Sequence, residues 1–473
     1  MRPTAHAFPE NARAALGDPQ LRAALAKFRT GFPERRARAV AALPEFEALR
    51  DAGAALKDHV LAHLDLYLER FEAEVRAAGG HVHWARTAAE AREIVTRIAS
   101  EAGARTVTKG KSMVAEEIGL NGALEAAGME VVETDLGEYI IQLRNEPPSH
   151  IIAPALHLSK AQVADEFRRA HASLDPARDL DDPASLIAEA RTVLRGKFLQ
   201  AEVGITGANF LVAETGSTVI VTNEGNGDLT QILPRVHIVL TGIEKVVPTL
   251  EDASLLLRLL ARSATGQEFS AYTTFSTGPK RPGDPDGPEA FHVVLLDNGR
   301  SALVGTEFQE VLRCIRCGAC MNHCPVYASV GGHAYGWVYP GPIGAVLDPA
   351  LLGVEEARHL PNASTFCGRC ESVCPVKIPL PKMMRHWREK EFEGRIGPAG
   401  FRRGLRLWAF FARRPGLYRL GARVGMRLLA LLGGARGRFR TLPLAGGWTG
   451  SRDFPAPEGE TFQARWQRER GRG

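Results

Sequence analysis

CIRCGACMNHCP (Cys314–Pro325) and, fifty residues further on, STFCGRCESVCP (Ser364–Pro375) decide how this chain is read. All seven cysteines of the 473-residue sequence lie between Cys314 and Cys374. The first run is Cys-x2-Cys-x2-Cys-x3-Cys-Pro, the spacing by which a short turn wraps thiolates around an iron–sulfur cube. In the second, Cys317, Cys320 and Cys324 recur as Cys367, Cys370 and Cys374, while Ser364 stands where the counterpart of Cys314 belongs. In two-cluster proteins built from such runs, the fourth cysteine of each run ligates the other run's cluster. On that scheme Cys314, Cys317, Cys320 and Cys374 hold one [4Fe-4S] cluster, and Cys324, Cys367 and Cys370 hold a second. The fourth corner of the second is open to Ser364 Oγ, to water, to a nearby histidine (His323, His333 or His359) or to a partner's group. Left empty, it gives a 3Fe-4S cluster. Disulfides would leave one of seven thiols over and need an oxidising compartment. Zinc usually takes two separated Cys-x2-Cys pairs. Neither matches the spacing.

The length allows two or three domains, and 45% hydrophobic with 24% charged residues is ordinary for a globular protein. Met1 to Gln20 has no apolar core of signal-peptide type, and no window reaches the ~18 apolar residues of a spanning helix. The expected location is cytoplasmic. The formal charge of +5 hides an asymmetry, because Gly394 to Arg452 holds 13 arginines and no lysine, aspartate or glutamate. Large apolar residues interleave with them, among them Leu405, Leu407, Trp408, Phe410, Phe411, Leu417, Leu420, Val424, Leu428, Leu429 and Leu432, with a break at Pro415. Three readings fit this basic amphipathic pattern: a helical extension covering the cluster region, docking on an acidic partner, or peripheral contact with an anionic membrane. Nucleic acid is not an expected partner, since no recognised module accompanies the charge.

Four zones follow along the chain: a helical segment (1–70), an α/β domain (71–300), a mainly helical ferredoxin-like 4Fe-4S domain (301–390) and the basic region (391–473). Alternating helix and strand patterns mark the second zone. Strands are expected at Arg105–Thr108, Glu130–Glu133, Tyr139–Leu143, Ile151–Pro154, Phe210–Glu214, Thr218–Thr222, Val236–Thr241 and His292–Leu296. Helices are expected at Thr87–Ala102, Ser112–Ala127, Ser159–His171, Pro183–Gln200 and Leu250–Ser263. TKGKS (Thr108–Ser112) sits at a strand–helix junction, where lysines and free N–H groups favour an anion. AETGS (Ala213–Ser217) suits a hairpin turn. NEGNGD (Asn223–Asp228) places acidic and amide groups at a strand end, a usual place for a ligand crevice. Lys109, Lys111, Glu214 and Glu224 are the candidate anion site; a turn with solvated lysines and a plain polar loop explain the same segments without one. No dinucleotide fingerprint or nucleophile elbow is present, and no catalytic residue is assigned.

The sequence resembles the lactate-utilisation iron–sulfur proteins of the LutB/LldF type. The resemblance runs through TKGKSM (Thr108–Met113), ETDLGEYIIQL (Glu133–Leu143), EPPSHIIAP (Glu146–Pro154), GANFLVAETGSTVIVTNEGN (Gly207–Asn226) and both cysteine runs. A serine at the position of Ser364 is familiar in that family. The resemblance implies an α/β domain like those of the sugar-phosphate isomerase and CoA-transferase superfamily. It implies two partner proteins, one with cysteine-rich CCG-type motifs and one with a lone α/β domain, and an electron acceptor. Together they would oxidise L-lactate to pyruvate, this chain acting as the electron carrier, with its seven cysteines matching the cluster ligands. On this view electrons pass from one cluster to the other, and Arg313, Arg316, Arg369 and Lys377 place positive charge beside them. Two other readings stay open: an enzyme whose α/β domain binds an anionic substrate, and a cluster-stabilised assembly scaffold.

Overall fold

The run VHIVLTG is buried at every position, and AFHVVLL is buried along most of its length. Such unbroken apolar runs belong in a parallel sheet covered on both faces. The computed structural model describes residues 3–442, 445–450 and 452–471. Ten strands form the α/β part: β1 (His81–Ala85), β2 (Thr106–Gly110), β3 (Glu130–Glu133), β4 (Val203–Thr206), β5 (Phe210–Val212), β6 (Ser217–Thr222), β7 (Val236–Gly242), β8 (Val246–Val247), β9 (Tyr272–Ser276) and β10 (Ala290–Leu296). Six are joined in the order β1-β10-β7-β4-β2-β3, all parallel. The chain runs outward from β2 to β3, then returns past β2 to β4 and continues the other way through β7 and β10. The reversal therefore falls between β2 and β4. A second sheet, β8-β5-β6-β9, carries the expected hairpin of β5 and β6, with Gly216 at φ 65 in its turn.

Two compact units divide the chain, Met1–Glu391 and Phe392–Gly473. Within the first, the α/β part and the cysteine region share a core. Phe28, Phe46 and Leu61 of the N-terminal helices, Phe210 and Val219 of the second sheet, and Cys317, Tyr327 and Met384 belong to one buried cluster. Helix ends follow local chemistry. Thr249 and Asp252 form a capping box at Leu250–Ala264, as do Ser159 and Gln162 at Lys160–Ala170. Asp182 caps Pro183–Gln200.

Three expectations are corrected. Tyr139–Leu143 belongs to a helix, Leu136–Leu143, because Asp135 accepts from the N–H groups of Gly137 and Glu138 and starts it. Leu136, Tyr139, Ile140 and Leu143 then share one face, packed with Phe167 and Leu194. Ile151–Pro154 is a loop, because His150 Nδ1 accepts from the N–H groups of Ile152 (3.0 Å) and Ala153 (3.1 Å). The helix expected over Ser112–Ala127 is two, Met113–Ile118 and Leu120–Ala126, parted by Gly119 at φ 65. The strands β1, β4, β8 and β9 carry too short or too polar a pattern to be seen in the sequence.

An ion cluster with a fully buried Arg300–Glu117 pair at its centre ties the α/β part to the cysteine region. Arg300 Nη2 lies 2.6 Å from Glu117 Oε2, and Arg300 Nε lies 3.0 Å from Glu244 Oε2. Tyr339 donates to Glu117 Oε2 at 2.6 Å, and Arg316 reaches Glu244 Oε1 at 3.3 Å. Burial alone would raise the Glu244 carboxyl, but Arg300 and Arg316 hold it at about 2. We predict that Arg300→Met, which leaves Glu117 buried without its arginine and Glu244 with Arg316 only, costs about 3–5 kcal/mol in a denaturant titration. A change under about 1 kcal/mol would show that the cluster is not a structural tie.

Candidate functional site

Both cysteine runs take the same local path. The residue just before the second ligand position is left-handed in each, Arg316 at φ 59 and Phe366 at φ 53. Gly318 (φ 72) and Gly368 (φ 76) follow, each opening one helical turn, Ala319–Asn322 and Arg369–Ser372. Left-handed backbone at alternate residues turns successive side chains toward a common centre, at a strain cost for the two non-glycine residues.

The sulfurs divide between two cavities. The first is lined by Cys314, Cys317, Cys320 and Cys374, with apolar walls from Ile151, Ile315, Ile343, Val376, Ile378 and Leu380. The second is lined by Cys324, Cys367 and Cys370 together with Ser364, Phe366 and Met384. Each run thus faces both cavities. Ser364 reproduces the local bonding of Cys314: its Oγ accepts the Phe366 N–H at 3.1 Å, as Cys314 Sγ accepts the Arg316 N–H at 3.4 Å. Ser364, and none of His323, His333 or His359, lines the second cavity. His323 Nδ1 lies 2.9 Å from the Ala319 carbonyl, and His333 Nε2 donates to the Pro147 carbonyl at 2.8 Å.

The donor set fits iron–sulfur clusters. All seven cysteines are free thiols. Among the described residues no three Cys, His, Asp or Glu side chains converge as on a single ion; the thiols instead stand around a space. Further N–H groups point at sulfur, Tyr327 to Cys324 (3.5 Å) and Ile378 to Cys374 (3.4 Å). Burial pushes the thiols of Cys370 and Cys374 up to about 12 and about 11, and raises Cys317 and Cys320 as well. Thiolates here need a bound cation, and coordination to a metal deprotonates a thiol outright.

Distant segments close the site. Gly318 sits against Ile151, Ile152 and His150 of the 146–154 loop. That loop is held by the Tyr327 hydroxyl on the Ser149 carbonyl (2.7 Å) and by His150 Nε2 on Asn322 Oδ1 (2.9 Å). From the N-terminal helices, Arg36 donates to the Val373 carbonyl and Arg50 to the Cys374 carbonyl, each at 2.9 Å. The Arg316 guanidinium lies 4.5 Å from the Tyr339 ring centre and reaches Glu244. Arg313 pairs with Asp58 at 2.6 Å and Lys377 pairs with Asp51. Sequence reasoning missed Arg36, Arg50, Glu244 and Ile151, which lie 70 to 340 residues from the cysteines they serve. The only local hint was Pro147-Pro148, which marks irregular backbone.

In the α/β part, Lys109 is buried with Nζ 2.7 Å from both Glu116 and Glu133. Burial disfavours its charge, but the carboxylates overcome this and hold its pKa above the ordinary value. Lys111, at φ 57, pairs with Asp135 and lies 3.6 Å from Glu224. Glu138 accepts the Lys111 N–H at 3.3 Å, and burial with Glu133 and Asp135 nearby pushes its carboxyl up to about 8. These groups gather at the carboxyl ends of β2 and β3, beside the reversal of chain order. Glu214 is engaged elsewhere, accepting the Leu250 N–H at 2.6 Å. The structure therefore brings Lys111 and Glu224 together, seats Lys109 among carboxylates next to them, and puts Glu214 at a helix start.

Comparison with known proteins gives three family models in series: "LUD domain" over residues 68–296, "4Fe-4S dicluster domain" over 310–378, and "Lactate utilisation protein B, C-terminal" over 394–471. Lactate utilization protein B of Geobacillus kaustophilus is 44% identical over 470 residues, covering 98% of this chain and 97% of that one. The Geobacillus thermodenitrificans protein of the same name is 46% identical over 443 residues, 93% of this chain and 92% of that one. An Escherichia coli protein described as "Uncharacterized electron transport protein YkgF" is 42% identical over 458 residues, 97% of this chain and 95% of that one. Among solved structures, a duf162 family protein from Deinococcus radiodurans covers 49% of this chain and 98% of its own length, at 15% identity and a TM-score of 0.28. That likeness is too slight to carry an argument.

One thiol stands apart: Cys367 is exposed, and its pKa is lowered by the Arg369 N–H and the Thr365 side chain. We predict that iodoacetamide labels Cys367 first in the metal-free protein, while the buried Cys317 and Cys374 react only on unfolding. Peptide mass spectrometry over a time course decides this; equal labelling of all seven would contradict the geometry.

Proposed function

The chain belongs to the lactate utilisation protein B family, and from that premise we propose that it is the iron–sulfur electron-transfer subunit of a multi-protein system oxidising L-lactate to pyruvate. The observation that carries this reading is the division of the cysteine sulfurs between two cavities, four in one and three with Ser364 in the other. Cys314, Cys317, Cys320 and Cys374 would hold one [4Fe-4S] cluster; Cys324, Cys367 and Cys370 would hold the second, with Ser364 Oγ at its fourth corner. When bound, such clusters supply one-electron redox chemistry.

The chain's own residues do the rest. Each run serves both cavities, so covalent connection keeps the two sites adjacent. Ile151, Ile343 and Leu380 exclude water from the first. Arg36, Arg50 and Arg316 place positive charge around it, with Glu244 offsetting part of that of Arg316. An oxygen ligand at Ser364 would give the second site a harder donor, and so a different potential.

The partners in this reading are a CCG-type cysteine-rich protein, a lone α/β-domain protein and an electron acceptor. The 71–300 domain is read as isomerase/CoA-transferase-like, supported by its parallel sheet with a reversal between β2 and β4. The enzyme alternative draws less support, because Lys109 and Lys111 already have carboxylate partners.

The test is anaerobic purification with iron, sulfide and zinc analysis, and EPR before and after dithionite. We predict about eight irons and two reducible, interacting signals. Cys374→Ser should remove one signal and Cys370→Ser the other; loss of the same signal from both variants would sink the crossed assignment. Ser364→Cys should alter the second signal only. A three-iron signal in oxidised wild type would leave that corner empty, and zinc without sulfide would end the electron-transfer reading.

A further inference from the structure

The C-terminal unit offers a surface of unusual composition. From Gly394 to Arg440 the sequence contains no Ser, Thr, Asn, Gln, Asp, Glu, Lys or His. Its side chains are arginine, apolar groups and the single hydroxyl of Tyr418. Two helices carry it, Ala399–Ala412 and Pro415–Gly433. In the first, Phe401, Leu405 and Trp408 fall on one side at helical spacing, and Arg402, Arg403 and Arg406 on the other. In the second, Leu420, Val424, Leu428 and Leu431 form one stripe, with Arg419, Arg423 and Arg427 in a parallel row at its edge. The apolar stripes face outward: Phe401 is 66% exposed, Trp408 61%, Leu428 54% and Leu431 78%.

We propose that these two helices dock the protein on a bilayer containing anionic phospholipid, lying in the headgroup plane with the apolar stripes inserted. A long cationic row beside an aromatic and aliphatic stripe is the chemistry of an interfacial helix. Arginine fits phosphate through paired N–H donors, and its stem lies along apolar surface while its head reaches the headgroup. A specific protein interface would carry a rim of mixed donors and acceptors, and here side-chain acceptors are almost absent. Among the described residues no helix is long and apolar enough to cross a membrane, so the contact is peripheral. The surface is independent of the cluster reading.

The test uses the full iron-loaded chain, sedimented with vesicles of phosphatidylcholine alone or mixed with phosphatidylglycerol. Binding is expected only to the mixed vesicles, weakening as salt is raised, with a blue shift of tryptophan fluorescence. Replacing Arg419, Arg423 and Arg427 by serine should weaken binding roughly a hundredfold, at about fivefold per arginine. Trp408→Asp with Leu428→Asp should abolish insertion while leaving ten or more arginines in place. Iron content and cluster EPR of each variant establish that the rest of the chain is folded, so a failure here is separable from a failure of the electron-transfer reading. Equal binding to neutral vesicles, no binding, or unchanged binding by the aspartate variant would overturn the proposal. Capture by polyglutamate with no vesicle binding would replace it with an acidic protein partner.

Discussion

Seven thiols must be held around two spaces by a chain that serves both, and the rest of the larger unit is arranged to meet that constraint. Because Cys374 faces the cavity of the first run and Cys324 that of the second, neither run completes its site alone. The segment between them, with helix Gly341–Leu352, closes the loop, and Ile343 from that helix walls the first cavity. A buried thiolate is a costly charge unless a bound cation offsets it, and the groups that bury these sulfurs come from far along the chain. The N-terminal helices supply Arg36 and Arg50, and the α/β part supplies the 146–154 loop.

Charge is handled by the same logic. Arg316 lies between two ligand positions, yet its guanidinium is buried against Tyr339 and Glu244. Glu244 is shared with Arg300, and Arg300 with Glu117. One of the positive charges beside the first cavity is thus part of a network rooted in the α/β part. Removing a member would alter packing, local potential and the join between sheet and cysteine region together, so these effects are not additive.

Lys109 and Lys111 illustrate how composition misleads about charge. In sequence, TKGKS is a pair of lysines at a strand end. In the fold, Glu116, Glu133, Asp135 and Glu224 arrive from other elements and neutralise them. Helices Ala399–Ala412 and Pro415–Gly433 of the smaller unit are a different case: they hold no acidic side chain, and among the described residues no carboxylate pairs with their arginines.

Much of the cysteine site was legible in the linear chain because ligand spacing is a local property. A cluster needs thiols at short fixed intervals, and a fifty-residue duplication with Ser364 in one slot is visible without coordinates. Long apolar strands such as β7 were legible for the same reason, since seven buried positions in a row permit little else. Leu136–Leu143 was misread because EYIIQL fits two periodicities, and the Asp135 cap decided between them. The residues that wall the two cavities, the partners of Arg316 and Lys109, and the role of Ile151 were decided only by tertiary structure. Each depends on which segments, tens to hundreds of residues apart, are packed into contact, and one sequence records the groups that meet but not their meeting.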